Sequence, residues 1–119
     1  MAEHLNEQFG FERLDVYSVA CEALGIVLRH RAELRGLPGE IAGQMERAAV
    51  STVTLIAEGA GRASRADQRH RFVLARAEAN EVGAMVEVAR MLGALNDDGS
   101  LVRSLYLRVV KMLNRLIAR

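Results

Sequence analysis

The sequence predicts an all-α protein folded as an antiparallel up-down four-helix bundle. Half of the 119 residues are hydrophobic, but only 4% are aromatic and one is proline, a composition typical of helices filled with small and aliphatic side chains. Apolar residues recur at spacings of three and four in four segments, and in none do β-branched residues alternate as in a strand. Short connections separate these segments, which favours antiparallel neighbours.

The length predicts one domain spanning residues 1–119, since two ordinary cores would not fit. Cys21 is the only cysteine, so no disulfide can form within the chain, and this suits a reducing compartment. The acidic N-terminus lacks the basic region of a signal peptide, and no apolar stretch approaches the ~20 residues of a membrane span. We therefore expect a cytoplasmic protein with no membrane partner, in which residues 1–10 form a flexible lead-in.

The first two helices are predicted at about 12–35 and 39–62. The apolar stripe of the first consists of Leu14, Tyr17, Cys21, Leu24 and Leu28. Pro38 can begin the second helix, because proline is tolerated in a first helical turn. The stripe of the second consists of Ile41, Met45, Ala48, Thr52 and Leu55. Gly59 and Gly61 indicate its end.

The third helix is predicted at about 65–95, where Ser64 and Asp67 form a short variant of the capping box. Its stripe consists of Phe72, Ala75, Ala79, Val82, Val86 and Ala89. Further apolar residues spread around its circumference, namely Leu74, Met85, Val88, Met91, Leu92 and Leu95. A helix that is apolar on several sides is buried on several sides, so we expect a second copy to cover it. The alternative is an ordinary wide core stripe.

The segment from Asn96 to Ser100 is typical of a turn followed by a helix cap. The fourth helix is therefore predicted at about 100–118. Its stripe consists of Val102, Tyr106, Val109, Leu113 and Leu116.

No catalytic residue, cofactor or metal site is predicted, and we expect a protein that is not an enzyme. Asp67-x-x-His70 has a spacing used in di-iron bundles, but such a site needs a second copy of the motif, which the sequence lacks. Gly59-Ala60-Gly61 is not followed by the Lys-Ser or Lys-Thr pair of a phosphate-binding loop. Cys21 lies in an apolar stripe without a neighbouring base, which indicates a small packing residue.

Charge is distributed unevenly along the chain, although the formal net charge is only +1. Residues 1–28 hold five acids and one arginine, whereas residues 62–76 hold five arginines and one acid. The last 21 residues hold five bases and no acid. The candidate contacts for nucleic acid or a partner are Arg62, Arg65, Arg69, Arg108, Lys111, Arg115 and Arg119. Such faces can bind phosphates, neutralise acidic neighbours in an oligomer, or simply be solvated.

Two structural ion pairs are predicted between the second and third helices. A hairpin that turns near Ser64 would place Arg47 opposite Glu81 and Glu58 opposite Arg69. These pairs would order the hairpin if they were partly buried. The alternative is that the charges are solvated.

Several short motifs follow one another along the chain, namely Leu37-Pro38, the run from Gln44 to Ser51, the run from Ile56 to Arg62, Ala75-Arg76, Glu81-Val82 and the run from Lys111 to Ile117. In these motifs the sequence resembles a known family of bacterial four-helix bundle proteins, the 23S rRNA intervening-sequence proteins. The similarity covers roughly residues 11–117. The sequence departs from the family pattern at Leu55, where the family has asparagine, and at Ala77-Glu78, where it has Gly-Ser.

The resemblance implies an up-down bundle assembled as a ring, typically a homopentamer. Some relatives are encoded inside insertions in large-subunit rRNA genes, and others are similar to the accessory protein of diversity-generating retroelements. The partners it implies are further copies of the chain, and RNA, DNA or a nucleic-acid-binding protein. Two hypotheses follow: a non-enzymatic ring that contacts nucleic acid through arginine-rich faces, and a scaffold for protein interactions without a nucleic-acid role.

Overall fold

The computed structural model describes residues 7–95, 97 and 99–119, and all regular structure in this part of the chain is helical. The four long helices are α1 (Asp15–Arg29), α2 (Ile41–Ala60), α3 (Arg65–Met91) and α4 (Ser100–Ala118). Short helical turns lie at Gly10–Arg13, Arg31–Leu34 and Pro38–Glu40. The prediction of an all-α protein is confirmed. Of the lead-in expected at residues 1–10, the first six residues lie outside the described part.

The first segment is more divided than its periodicity suggests. The chain is extended at Leu14, so a 3-10 turn precedes α1 instead of joining it. At the other end α1 stops at Arg29, and after His30 one further helical turn follows before Gly36, which has a positive φ of 86°. The apolar spacing continues across these interruptions and therefore could not reveal them.

Helix α3 ends at Met91, four residues earlier than predicted. Gly93 takes a φ of 67°, and the amide of Ala94 donates to the carbonyl of Ala89 at 3.0 Å. This is the hydrogen bond of a Schellman motif, which ends a helix at a residue in the left-handed conformation. At the start of α3 the predicted cap is confirmed, because the Ser64 hydroxyl accepts from the amide of Asp67 at 3.1 Å.

Each long helix packs against two others. Helix α1 contacts α2 and α4, and α3 contacts the same two helices, so α1 and α3 lie diagonally across the bundle. Helices α3 and α4 run in opposite directions, since Arg65 contacts Leu116 at one end while Glu87 contacts Arg103 at the other. No helix in the described ranges is long and apolar enough to cross a membrane.

The core contains the predicted stripe of α3 but a different face of α1. The six predicted positions of α3 are all at most 4% exposed. The buried face of α1 consists instead of Val16, Val19, Ala20, Ala23, Ile26 and Val27. The predicted stripe of α1 is half-buried, and Leu28 is 39% exposed. Both stripes have helical spacing, so periodicity identified the helix without identifying which of its two apolar faces is inside.

Candidate nucleic-acid interface

The start of α3 holds the end of α4 through two arginines. Arg65 donates from Nη2 to the carbonyls of Leu116 and Arg119, and Arg69 donates to the carbonyls of Ile117 at 3.1 Å and Arg119 at 3.0 Å. The last four carbonyls of a helix have no partner within the helix, and cations are favourable at this end of the helix dipole. The two guanidinium groups therefore act as a cap on α4.

These contacts bring together two arginine groups that are about fifty residues apart in the sequence. We call the resulting set the basic end of the bundle; it consists of Arg62, Arg65, Arg69, Arg115 and Arg119. The loop before α3 is held in place as well, because Gln68 Nε2 donates to the carbonyl of Arg62 at 3.0 Å. Five of the seven candidate contact residues thus lie at one end of the molecule.

A groove of about 260 Å³ opens beside the basic end, between the start of α1 and the end of α4. Its walls carry Arg13, Arg115 and Arg119 together with apolar side chains, and Asp15 lines it as well. Arg13 was not predicted as a contact residue, because it stands alone among acids in the sequence. It reaches the groove because the Gly10–Arg13 turn folds back against the bundle.

Arg108 and Lys111 extend the basic surface along α4, away from the basic end. Both are exposed, and Arg108 and Arg119 are separated by eleven residues, or roughly 16 Å along the helix. Within the part of the chain that the structure describes, no ion pair joins Arg108, Lys111, Arg115 or Arg119 to an acidic side chain. Their charges are therefore open to a binding partner.

Among the residues that the structure describes, neither predicted ion pair between α2 and α3 forms. Glu58 contacts Arg71 at 3.5 Å, whereas Arg69 points to the end of α4. The hairpin is offset by two residues from the predicted register. Arg47 and Glu81 are both exposed, and among the described residues no ion pair joins them.

Two further polar side chains, His30 and Tyr106, do not belong to the basic surface. His30 lies at the far end of α1, with Nδ1 3.2 Å from Glu33 Oε1 and Nε2 3.7 Å from Asp97 Oδ1. The Tyr106 hydroxyl is buried without a hydrogen-bond partner among the described residues, and burial raises the pKa of this tyrosine. No group of three or more metal-ligating side chains occurs in residues 7–95, 97 and 99–119.

A family model described as 23S rRNA-intervening sequence protein matches residues 12–115, which is most of the chain. The chain belongs to this family. The resemblance stated from the sequence is thereby confirmed.

The fold of this chain is similar to that of a protein with a known crystal structure. A crystal structure of a protein of unknown function from the S23 ribosomal protein family of Bacteroides thetaiotaomicron VPI-5482 superposes with a TM-score of 0.79. The two chains are 20% identical, and the match covers 87% of this chain and 96% of the other. This similarity concerns the fold alone. No curated protein matches the chain.

In this member of the 23S rRNA-intervening sequence protein family, several residues that carry the family resemblance lie where the end of α2 packs against the start of α3. Ile56 is fully buried, and Glu58 binds Arg71. A Cβ atom on Gly59 would lie 2.6 Å from the ring of Phe72, so glycine allows α2 to approach α3 closely. The motif therefore places the end of α2 close against the first turns of α3, the part of α3 that carries Arg65 and Arg69.

The departures from the family pattern lie away from the basic end. Leu55 is half-buried and packs against the core, and Ala77 is exposed on the outside of α3. Partial burial, and to a smaller extent the neighbouring Glu81, raise the pKa of Glu78. Leu55 therefore lies at a contact between helices, whereas Ala77 lies on the outer surface of α3.

Proposed function

We propose that the protein is a non-enzymatic, cytoplasmic helical bundle of up-down topology that forms a ring of several copies and contacts RNA or DNA through its basic surface. The observation that carries this proposal is the convergence of Arg62, Arg65, Arg69, Arg115 and Arg119 at one end, continued by Lys111 and Arg108 along α4. Phosphate contacts from such cations are largely independent of sequence.

The capping arginines can still bind a phosphate. A guanidinium carries five N–H donors, and Arg65 uses only Nη2 for α4, while Arg69 uses Nε and Nη2. Their hydrogen bonds to the backbone hold the side chains in one place, which lowers the entropy lost on binding. Arg115 and Lys111 have no carboxylate partner among the described residues, and they supply the more mobile contacts.

Assembly would multiply these weak contacts. Met91 is 78% exposed and Leu92 is 50% exposed at the end of α3, and apolar surface of this kind supports self-association. In a ring, each copy would present the same cations to one long nucleic-acid strand. Contacts that are weak singly can then give high affinity together.

A scaffold without a nucleic-acid role is the second candidate, and Asp15 favours it. This carboxylate lines the same groove as Arg115 and Arg119, so acids near α1 can offset the cations of α4 within a copy or between copies. In that case the basic residues would stabilise the assembly and no phosphate would be bound.

Titration of labelled single-stranded RNA and duplex DNA at low salt tests the proposal. We expect Lys111→Gln with Arg115→Gln to weaken binding, while the mass measured by light scattering stays several times 13.1 kDa. The matched control is Arg35→Gln with Arg47→Gln, which removes the same charge from exposed residues outside the basic surface. Equal loss in both variants would contradict the assignment of the surface. Loss of oligomer mass, with no nucleic acid bound by the unchanged protein, would favour the scaffold.

A further inference from the structure

Most aromatic side chains of the protein lie at the basic end of the bundle. The chain contains three phenylalanines, two tyrosines and no tryptophan. Phe9, Phe11 and Tyr17 form one cluster at the start of α1, and Phe72 lines a cavity of about 320 Å³ at the same end. The fifth aromatic residue, Tyr106, is buried in the core. Aromatic and cationic side chains are therefore concentrated in one part of the molecule.

The three rings of the aromatic cluster contact one another in order. Phe11 lies against Tyr17 of α1, with ring centroids 4.9 Å apart and an angle of 56° between the ring planes. Phe9 stacks on Phe11, with centroids 5.2 Å apart and ring planes only 7° from parallel. Phe9 is nevertheless 68% exposed, because Phe11 covers only one face of its ring. The other face can accept a further flat ring.

Hydrogen bonds fix the backbone around Phe9, which immediately precedes the Gly10–Arg13 turn. The amide of Glu12 donates to the carbonyl of Phe9 at 3.0 Å, and the amide of Leu14 donates to the carbonyl of Phe11 at 3.1 Å. The turn also packs against α1 and α2. An aromatic side chain that is already held in place loses little conformational entropy when a ligand binds. Phe9 is thus a preformed binding surface outside the core.

Cations of the basic end line two depressions beside this turn. Gly10, which follows Phe9, lines the cavity of about 320 Å³ together with Arg65 and Arg119. Arg13, at the other end of the turn, lines the groove of about 260 Å³ together with Arg119. Because Arg119 lines both, the two depressions adjoin each other. A ligand that covers Phe9 can therefore extend anionic groups toward several guanidinium groups.

Acidic residues near the turn restrict which part of a ligand can lie over Phe9. Glu7 precedes Phe9 by two residues, Glu12 belongs to the turn, and Asp15 lines the groove. Like charges repel each other, so a phosphate is disfavoured directly beside these carboxylates, whereas an uncharged ring is not. The arrangement favours a ligand whose uncharged flat ring contacts Phe9 while its phosphates contact the arginines.

We propose that an unpaired base of a single-stranded nucleic acid stacks on Phe9 while the phosphates of the strand contact the basic end. This inference rests on the proposed function and names its ligand class. Unpaired bases stack on exposed aromatic side chains, and a positively charged surface beside them follows the backbone. In a duplex the neighbouring base pairs cover both faces of each base, so a base must first be unstacked. Phe9 should therefore contribute to the binding of single strands and not to the binding of duplexes.

Two oligonucleotides of equal length test this role, a normal single strand and a strand in which every nucleotide is abasic. Both carry the same number of phosphates, but only the first has rings that can stack. We expect Phe9→Ala to weaken binding of the normal strand by roughly 5- to 150-fold, the effect of removing one stack between a base and an aromatic ring. Binding of the abasic strand and of a duplex should not change.

Three further variants control this measurement. Phe9→Tyr keeps a flat ring and should retain the affinity of the unchanged protein. Leu101→Ala removes an apolar side chain that is 49% exposed at the start of α4, away from the basic end, and should have no effect. If circular dichroism shows that Phe9→Ala loses helical content, Phe9→Leu replaces it, since leucine keeps an apolar contact with Phe11 without a flat ring.

Salt dependence distinguishes stacking from phosphate contacts. Stacking releases no counterions, so Phe9→Ala should lower the affinity at every salt concentration without changing the slope of log affinity against log salt. Lys111→Gln with Arg115→Gln should lower that slope instead, because these two variants remove phosphate contacts.

The outcomes separate the stacking contact from the proposed function. Equal binding of the normal strand by the unchanged protein and Phe9→Ala would overturn the stacking contact and leave the basic surface standing. A similar loss for the normal, abasic and duplex ligands would do the same. A lower oligomer mass for Phe9→Ala in light scattering, with unchanged affinity per subunit, would assign Phe9 to a contact between copies and overturn the inference. If the unchanged protein binds none of the ligands at low salt, the stacking contact and the proposed nucleic-acid contact are both wrong.

Discussion

The two ends of the bundle use their charged residues differently. At the end opposite the basic end, cations pair with carboxylates: Arg31 Nε lies 2.6 Å from Glu46 Oε1, and Glu87 Oε1 lies 3.0 Å from both Arg90 and Arg103. At the basic end, Arg65 and Arg69 bond to main-chain oxygens at the end of α4 and not to the side chains of acidic residues. Arg71 pairs with Glu58 near the basic end as well, but among the described residues no ion pair joins Arg62, Arg65, Arg69, Arg115 or Arg119 to an acidic side chain. The basic end therefore retains more positive charge than the opposite end. A net charge of +1 therefore conceals a strongly polarised molecule.

The largest difference between the ends is expected from glycine substitutions in α2. Gly59→Ala places a methyl group against Phe72 at the basic end and should destabilise the protein by about 1–3 kcal/mol through overpacking. Gly43→Ala lies near the other end of the same helix, where nothing is within 4 Å of the added Cβ. It should stabilise the protein by about 0.5–1 kcal/mol, since alanine is the better helix former. Urea denaturation measures both, and equal effects would contradict the close approach at Gly59.

A smaller loss is expected when the cap on α4 is removed. Arg65→Gln with Arg69→Gln should cost about 1–2 kcal/mol, because charged hydrogen-bond donors at a helix C-terminus are lost. Amide hydrogen exchange should accelerate in the last turn of α4, whose carbonyls accept from these arginines. If the double substitution lowers the free energy of unfolding but leaves amide hydrogen exchange in the last turn of α4 unchanged, the two arginines do not stabilise the protein by capping α4.

The smallest effect is expected at the paired end. The Glu87 and Arg103 side chains are 43% and 53% exposed, and exposed pairs contribute ~0–1 kcal/mol. A double-mutant cycle with Glu87→Gln and Arg103→Gln measures their coupling free energy, which should fall further as salt is added. A coupling free energy well above ~0–1 kcal/mol would contradict this comparison. The Glu87–Arg103 pair would then stabilise its end of the bundle as much as the arginine cap stabilises the basic end.

These contrasts agree with what the sequence could and could not predict. The stripe of α3 was predicted in full, because its buried face holds only apolar side chains at helical spacing. The buried face of α1 was not, because Val16, Ala20 and Ala23 compete with larger residues on the outside of the same helix. Periodicity measures spacing, and it does not say which of two apolar faces meets the core.

The sequence predicted which residues form the basic end, but it did not predict that these residues lie together. The arginines after residue 62 and those near the C-terminus were both chosen from local charge, since each group stands nearly free of acids. Their convergence depends on the antiparallel contact of α3 with α4. The capping role of Arg65 and Arg69 depends on backbone carbonyls fifty residues away, which no local pattern contains. The Glu58–Arg71 pair could not be predicted from a local pattern either. The turn near Ser64 determines which residues of α2 and α3 face each other, and therefore which charges can pair.

The salt dependence of nucleic-acid binding tests the central claim most directly. The logarithm of the affinity should fall linearly with the logarithm of the salt concentration. Replacing Lys111 and Arg115 together with glutamine should lower the slope by roughly 1.4–1.8, since each lost phosphate contact contributes ~0.7–0.9. The control at Arg35 and Arg47 should leave the slope unchanged. A slope that is the same in all three proteins, or no binding at low salt by the unchanged protein, would contradict the account.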